Sequence, residues 1–330
     1  MAQIHLQCIQ MRSNKAGWLG AKNEENEGME IFYTEDGASN WKNVTPEHSM
    51  IRSMFFFGLE TAYLFGYVSV EGILSPTVFF THNKGKSWGH SLLPIEEDGR
   101  PLSAFIDFSC KKNGWLLASS DPFSTILYRT RNGGKTWGKV GHVPIAGVPV
   151  GIRFINEMDG WVAVKAQSNP SCLYKTNNGG KNWRLVNLPF LSEETSPAQA
   201  MTCFKPVSLD DLLIVPVMTD DGSTKSLMFF TSHNLGQTWK ASNEIPFTGG
   251  GALSFIDAHH GRAIDAEAGA VYKSKKEFKK WEIWTQADLL KGTRCLHFTD
   301  PHNGWACSKK SILHTKNRGK SWEEIQFTIH

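Results

Sequence analysis

Gly134-Lys135-Thr136, inside the octet TRNGGKTW, has the residue types that close a phosphate-binding loop. That loop requires GxxxxGK[ST], because the first glycine lets the chain turn so that backbone N–H groups surround the phosphates. Arg129 stands where that glycine is needed, and the related triplets at Gly85 and Gly319 have Phe80 and His314 there. The triplets are therefore copies of another device. Asp265 and Glu267 in AIDAEAGAVY offer two carboxylates, the minimum set for acid–base glycoside hydrolysis. Asp257 and Asp300 each follow a recurring phenylalanine by two residues, with Asn156 at the same place, and read as turn formers. Cys295 and His297 alternate on one strand face, and Cys8 holds the matching place at the start of the chain; buried packing is the simpler reading of these three. The six cysteines form no CxxC pair, so no metal or other cofactor is expected, and most of the cysteines should be free and buried.

The elements that must position these residues follow from a repeat. Octets end at Trp41, Trp88, Trp137, Trp183, Trp239, Trp281 and Trp322, spaced by 47, 49, 46, 56, 42 and 41 residues. A second motif precedes each octet by roughly 20 residues, as in MRSNKAGW, FSCKKNGW, FINEMDGW and FTDPHNGW, with weaker forms ending at Tyr63, Leu212 and Arg262. Only Trp284 of the 12 tryptophans lies outside these addresses, so the tryptophans are structural and not sugar platforms. Short runs such as WLLAS, TILYRT and WVAVKA lie between the motifs, rich in β-branched and aromatic residues. Four short strands per repeat of about 47 residues predict an all-β chain, a seven-bladed β-propeller of four-stranded antiparallel blades. One domain spans 1–330, with blades at about 3–45, 50–92, 102–142, 148–188, 199–244, 250–286 and 292–328.

The octet reads [ST]-x-[DN]-x-G-x-[STN]-W. Hydroxyl and Asx side chains bond local backbone groups, glycine supplies a left-handed conformation, and the tryptophan buries its ring between blades. The residues concerned are Asp36, Asn83, Gly85, Asn132, Gly134, Asn178, Gly180, Asn234, Gly236, Asn317 and Gly319, with the seven tryptophans. In TEDGASNW the glycine is one place early, and SKKEFKKW has lost both Asx and Gly.

These octets resemble the Asp-boxes, or BNR repeats, of sialidase-like propellers. Their pairing with the GW motif is similar to the photosystem II stability and assembly factor type of propeller, and to exported propellers of Gram-positive bacteria. In sialidases the boxes lie away from the active site, and such a site would need three arginines, a tyrosine–glutamate pair and an acid. Arg52, Arg153 and Arg294 fall near inner-strand starts, but no FRIP-like motif surrounds them. Tyr33, Tyr128, Tyr174 and Tyr272 share one repeated strand position and should pack within blades.

The net charge of +3 is too small to point to nucleic acid, and no apolar run reaches the ~18 residues of a membrane span. The charge is unevenly placed, however. The octets carry 12 Lys/Arg against 3 Asp/Glu; the second-to-third-strand connections and the inter-blade loops carry 18 acids against 9 bases. A binding face is therefore expected at those loops, with candidates Arg52, Arg100, Arg153, Asp220, Asp221, Asp265, Glu267, Arg294 and His297 and the long segments 20–30, 92–102, 187–200 and 217–226. The expectation is a non-enzymatic, monomeric scaffold for a protein or a cell-envelope glycan; a carbohydrate-active enzyme using Asp265 and Glu267 is the alternative. The resemblance implies an exported or cell-surface protein whose signal has been removed, with the cytoplasm as the other compartment.

Overall fold

The computed structural model describes residues 4–24, 28–94, 101–120, 124–165, 172–189 and 200–330. It is all-β, and strands recur in antiparallel modules of four, joined in chain order. The chain divides into two compact units: 1–69 with 80–89 and 248–330, and 70–79 with 90–247.

In the first unit, strands Ile4–Met11, Gly17–Asn23, Met29–Thr34 and Asn40–Asn43 form one module. Gly251–Phe255, Gly261–Asp265, Ala270–Lys275 and Lys280–Gln286 form another. Cys295–Phe298, Gly304–Cys307, Ile312–Thr315 and Glu323–Ile325 form a third. Thr328–Ile329 then pairs in parallel with Asn40–Asn43, setting Thr328 against Asn40 and Ile329 against Trp41. Leu6, Ile9, Leu19, Phe32, Trp41 and Trp305 share one core.

In the second unit, Ser103–Phe108, Gly114–Ser119, Thr125–Thr130 and Gly138–His142 form a four-stranded sheet. Val148–Phe154, Gly160–Lys165, Leu173–Thr176 and Arg184–Leu185 follow. The next module is built on Ala200–Cys203, Leu212–Asp220 and Lys225–Ser232. A continuous apolar core runs from Trp115 through Trp161 to Phe230.

The GW motif has a packing reason. Its glycine pairs across the ladder with the last residue of the first strand: Gly114 with Phe108, Gly160 with Phe154 and Gly304 with Phe298. The phenylalanine ring lies flat over that glycine, so a Cβ on Gly160 would sit 2.4 Å from the ring of Phe154. The following tryptophan is fully buried and stacks on the phenylalanine of the next module, Trp18 on Phe56 and Trp115 on Phe154, the latter with centroids 4.0 Å apart. The stack across modules expected of the octet tryptophans is thus made by the GW tryptophans. Trp137, Trp183, Trp281 and Trp322 instead meet the first-strand phenylalanine of their own module edge-on. Trp41 is buried and donates to the carbonyl of Ala38, while Trp88 donates to that of Val44; Trp239 is half-buried. Tyr33, Tyr128, Tyr174 and Tyr272 are all buried.

Candidate functional site

Six of the seven octets fold as one hydrogen-bonded loop; SKKEFKKW is the exception. The first-place hydroxyl donates to the third-place side chain, at 2.9 Å for Thr81 to Asn83 and for Thr130 to Asn132. The same hydroxyl accepts the glycine N–H, at 3.0 Å for Gly134, Gly180 and Gly319 and 2.8 Å for Gly236. The Asn oxygen then accepts the seventh-place N–H, as from Thr136 and Ser321. At four boxes Asn adds a donor that Asp lacks. Asn83, Asn132, Asn234 and Asn317 use their amide N–H to donate to the seventh-place hydroxyl, which a carboxylate cannot do. In TEDGASNW the roles are exchanged: Asp36 accepts from the amide of Asn40 at 2.8 Å. Here Ala38 occupies the glycine place with φ 78°.

The fourth-place N–H closes the end of the module. Gly37, Lys84, Gly133, Gly179 and Arg318 donate to carbonyls of Lys15, Glu60, Lys112, Met158 and His302, all in the first hairpin turn. Box turns and first hairpin turns therefore share one end of each module. Lys86, Lys135, Lys181 and Lys320 in the boxes face water.

Cations at the first two modules of the second unit do more than solvate. Arg129 lies over the Trp115 ring and pairs with Glu157, and Lys175 lies over the Trp161 ring and donates to the carbonyl of Leu235 in the next box. Arg262, in the first unit, repeats this by donating to the carbonyl of Arg318 over Phe298. Burial pushes the Arg262 guanidinium down to about 10. A cation on the second or third strand of one module thus clasps a turn of the next.

The carboxylates proposed for chemistry hold loops. Asp265 is buried and accepts from the Thr248 N–H at 2.8 Å, the Thr248 hydroxyl at 2.6 Å, the Glu267 N–H at 2.9 Å and the Ala268 N–H at 3.1 Å. Glu267 itself is exposed. Asp221 accepts from Ser223 and Thr224, Asp220 accepts from Gly222, and Asp257 and Asp300 close their hairpin turns. Arg52 is exposed with its guanidinium 3.2 Å from the Met50 sulfur, and Arg294 is exposed beside Gln7. Arg100 lies outside the described residues, as do parts of the segments 20–30, 92–102 and 187–200. At the loop end of the first module a cleft of about 300 Å³ is lined by Gly28, Met29, Glu30, Asn43, Thr45, Ser49 and Met50.

Inner-strand groups missed by the repeat search sit one residue before the motif phenylalanine. Asp107 is fully buried and accepts from the Phe154 N–H at 2.8 Å, Lys205 at 3.0 Å and Arg153 at 3.4 Å. Ser254 does the same for the Phe298 N–H. The available signal was a polar residue directly before the motif phenylalanine in four modules: Asp107, Arg153, Ser254 and His297. Burial, and then the nearby Arg12, push His297 down to about 4, so it is neutral at ordinary pH. Beside it, three sulfurs meet. Cys295 Sγ is 3.7 Å from Cys8 Sγ, and Cys295 pairs across the ladder with Cys307. Hydrogen bonds from Cys307 and Cys8 hold Cys295 well below the usual thiol range, and the same bonds push its two partners up. The cysteine expectation needs two corrections: Cys172 and Cys203 form a disulfide linking the ends of the two strands that flank Gly160–Lys165, and Cys110 is exposed on a hairpin turn.

No protein-family model and no curated protein matches the chain in sequence. Solved structures do match in shape. A structure of YCF48 bound to D1 peptide is 17% identical, with TM-score 0.62, covering 96% of this chain and 92% of that one. YCF48 from Cyanidioschyzon merolae is 16% identical with TM-score 0.61, covering 96% of each. The GH74 enzyme of Niastella koreensis is 12% identical with TM-score 0.68; the match covers 97% of this chain and 54% of that longer one. The chain is thus similar over nearly its whole length to YCF48 and GH74 propellers.

Proposed function

We propose that this chain is a non-enzymatic binding or assembly scaffold, a single seven-bladed propeller that offers its acidic loop end to a protein partner. The observation that carries the reading is the likeness to YCF48, a structure of which holds a peptide, along 96% of this chain. The commitment of Asp265 to its own loop supports binding over hydrolysis, because four hydrogen bonds occupy its acceptor sites. The cleft between Gly28 and Met50 lies at that loop end and gives a partner side chain a place to enter. We further propose that the protein acts as a monomer and is exported or held at the cell surface. Among the described residues no helix is long and apolar enough to cross a membrane.

The test is charge reversal. Glu71, Glu244 and Glu267 are exposed on the acidic loops, and Lys86 and Lys135 are exposed on the boxes. Changing the three glutamates to lysine should abolish cross-linking to a protein partner in native extract, while Lys86→Glu and Lys135→Glu leave it unchanged. Equal loss from both sets removes the loop-end assignment. Hydrolysis of any member of a glycan panel, lost on Glu267→Gln, overturns the scaffold reading in favour of an enzyme.

A further inference from the structure

The strands Ile4–Met11 and Cys295–Phe298 lie side by side without a backbone ladder between them, and the thiols of Cys8 and Cys295 bridge that junction. We propose that Cys8 and Cys295 form a reversible, redox-controlled disulfide that bolts the first module to the last, with Cys307 as the third sulfur that reverses it. The sulfurs need to close from 3.7 Å to bonding distance of about 2 Å, which a side-chain rotation with a small backbone shift supplies. Cys8 and Cys295 are partly exposed residues, whereas Cys307 is fully buried. The Ile9 N–H, 3.3 Å from Cys295 Sγ, is placed to stabilise negative charge on the attacking sulfur. The low thiol range of Cys295 agrees with that role, since the thiolate is the nucleophile.

The oxidant is a small disulfide of the glutathione class. The Cys295 thiolate attacks one of its sulfurs, the oxidant's S–S bond breaks, and one small thiolate leaves and takes up the proton that Cys295 gave. The Cys8 thiolate then attacks the Cys295 sulfur, forming the Cys8–Cys295 bond and releasing the second small thiol with the proton from Cys8. Two electrons pass from the two cysteines to the oxidant, which is reduced to two thiols. In the reverse direction Cys307, paired with Cys295 across the ladder, attacks the Cys295 sulfur and frees Cys8; an external dithiol then reduces the Cys295–Cys307 bond.

The full-length chain, incubated with oxidised glutathione, alkylated without reduction and digested, should yield a cross-linked peptide joining Cys8 to Cys295. Among the four free thiols, Cys110 should remain alkylated, and Cys307 should become labelled only after denaturation. Dithiol treatment should restore labelling at Cys8 and Cys295, and the oxidised form should unfold at a higher denaturant concentration than the reduced form. Cys110→Ser should oxidise as the parent does, and Cys8→Ser should abolish both the cross-link and the shift in midpoint. Because the cross-linked peptide is read from the unmodified chain, a poorly folding variant does not obscure the result. Full alkylation of Cys8 and Cys295 after oxidation overturns the proposal, as does a first-formed bond between Cys295 and Cys307.

Discussion

Two neighbouring octets reverse the chain by opposite chemistry. TKNRGKSW, ending at Trp322, holds its loop by hydrogen bonds: Asn317 bridges Thr315 and Ser321, and Gly319 takes φ 82°. SKKEFKKW, ending at Trp281, has no Asx and no glycine, yet Lys276, Glu277 and Phe278 all enter the left-handed region, with φ 52°, 52° and 65°. Its Ser274 hydroxyl turns away, accepting from Gly261 N–H and donating to the His259 carbonyl. What holds this loop is the Phe278 ring. It is fully buried, lies over Gly261, and takes the place that first-strand phenylalanines hold over Gly114, Gly160 and Gly304. Phe255, displaced from that role, is only half-buried. The difference teaches that the module selects a backbone path, and either local hydrogen bonds or apolar burial can impose it.

Removing Phe278 should break the contrast most severely. Phe278→Ala should cost roughly 3–5 kcal/mol by denaturant unfolding, the range for emptying a large buried site. Phe278→Gly should cost about 1 kcal/mol less than the alanine variant, because it relieves the left-handed strain; the reverse order would show that the strain is not what the ring offsets. The inner strands repeat the contrast, since Ser254 accepts a backbone N–H while His297, at the same place one module on, is held by burial. His297 has its pKa lowered to about 4 from 6.5, so below pH 6.5 the unfolded chain takes up a proton that the folded chain refuses. Stability should fall as pH drops from about 6.5 towards 4, by at most ~3 kcal/mol, and His297→Leu should flatten that part of the profile. Gly180→Ala should then cost roughly 2 kcal/mol, combining φ 93° with a Cβ 2.2 Å from Leu127, and Gly319→Ala about 1, where the nearest atom is at 3.4 Å. The smallest effects belong to the polar octet. Asn317→Ala should lose about 1 kcal/mol, and Asn317→Asp less than that, because the Ser321 hydroxyl can reverse and donate.

The repeat was legible because each tryptophan, glycine and hydroxyl recurs at one address for one mechanical reason. The octet at Trp281 was legible only as a damaged copy, since a pattern of residue types does not show that a phenylalanine can stand in for a glycine. Asp107 was missed because alignment on aromatic residues looks past the polar residue beside them, and its partners Arg153 and Lys205 come from other modules. Asp265 was legible as a loop carboxylate with two readings, but its burial under four hydrogen bonds was not, since pairing with Thr248 leaves no local trace in sequence. The cation clasps escaped for a related reason, because a lysine near a turn has the same appearance whether it meets water or the next box.

The parallel pairing of Thr328–Ile329 with Asn40–Asn43 sets a timetable for biosynthesis. The second unit is nearly continuous in sequence, so it can acquire its core while translation proceeds. The first unit draws on both ends of the chain, and its earliest residues must wait for partners made some 290 positions later. During that interval one apolar face of its opening hairpins, the one that packs on residues 295–329, has nothing to cover it. Chaperone demand should therefore concentrate on the first tens of residues, and a circular permutant that places 248–330 ahead of residue 4 should fold faster and with less aggregation, without altering a single native contact.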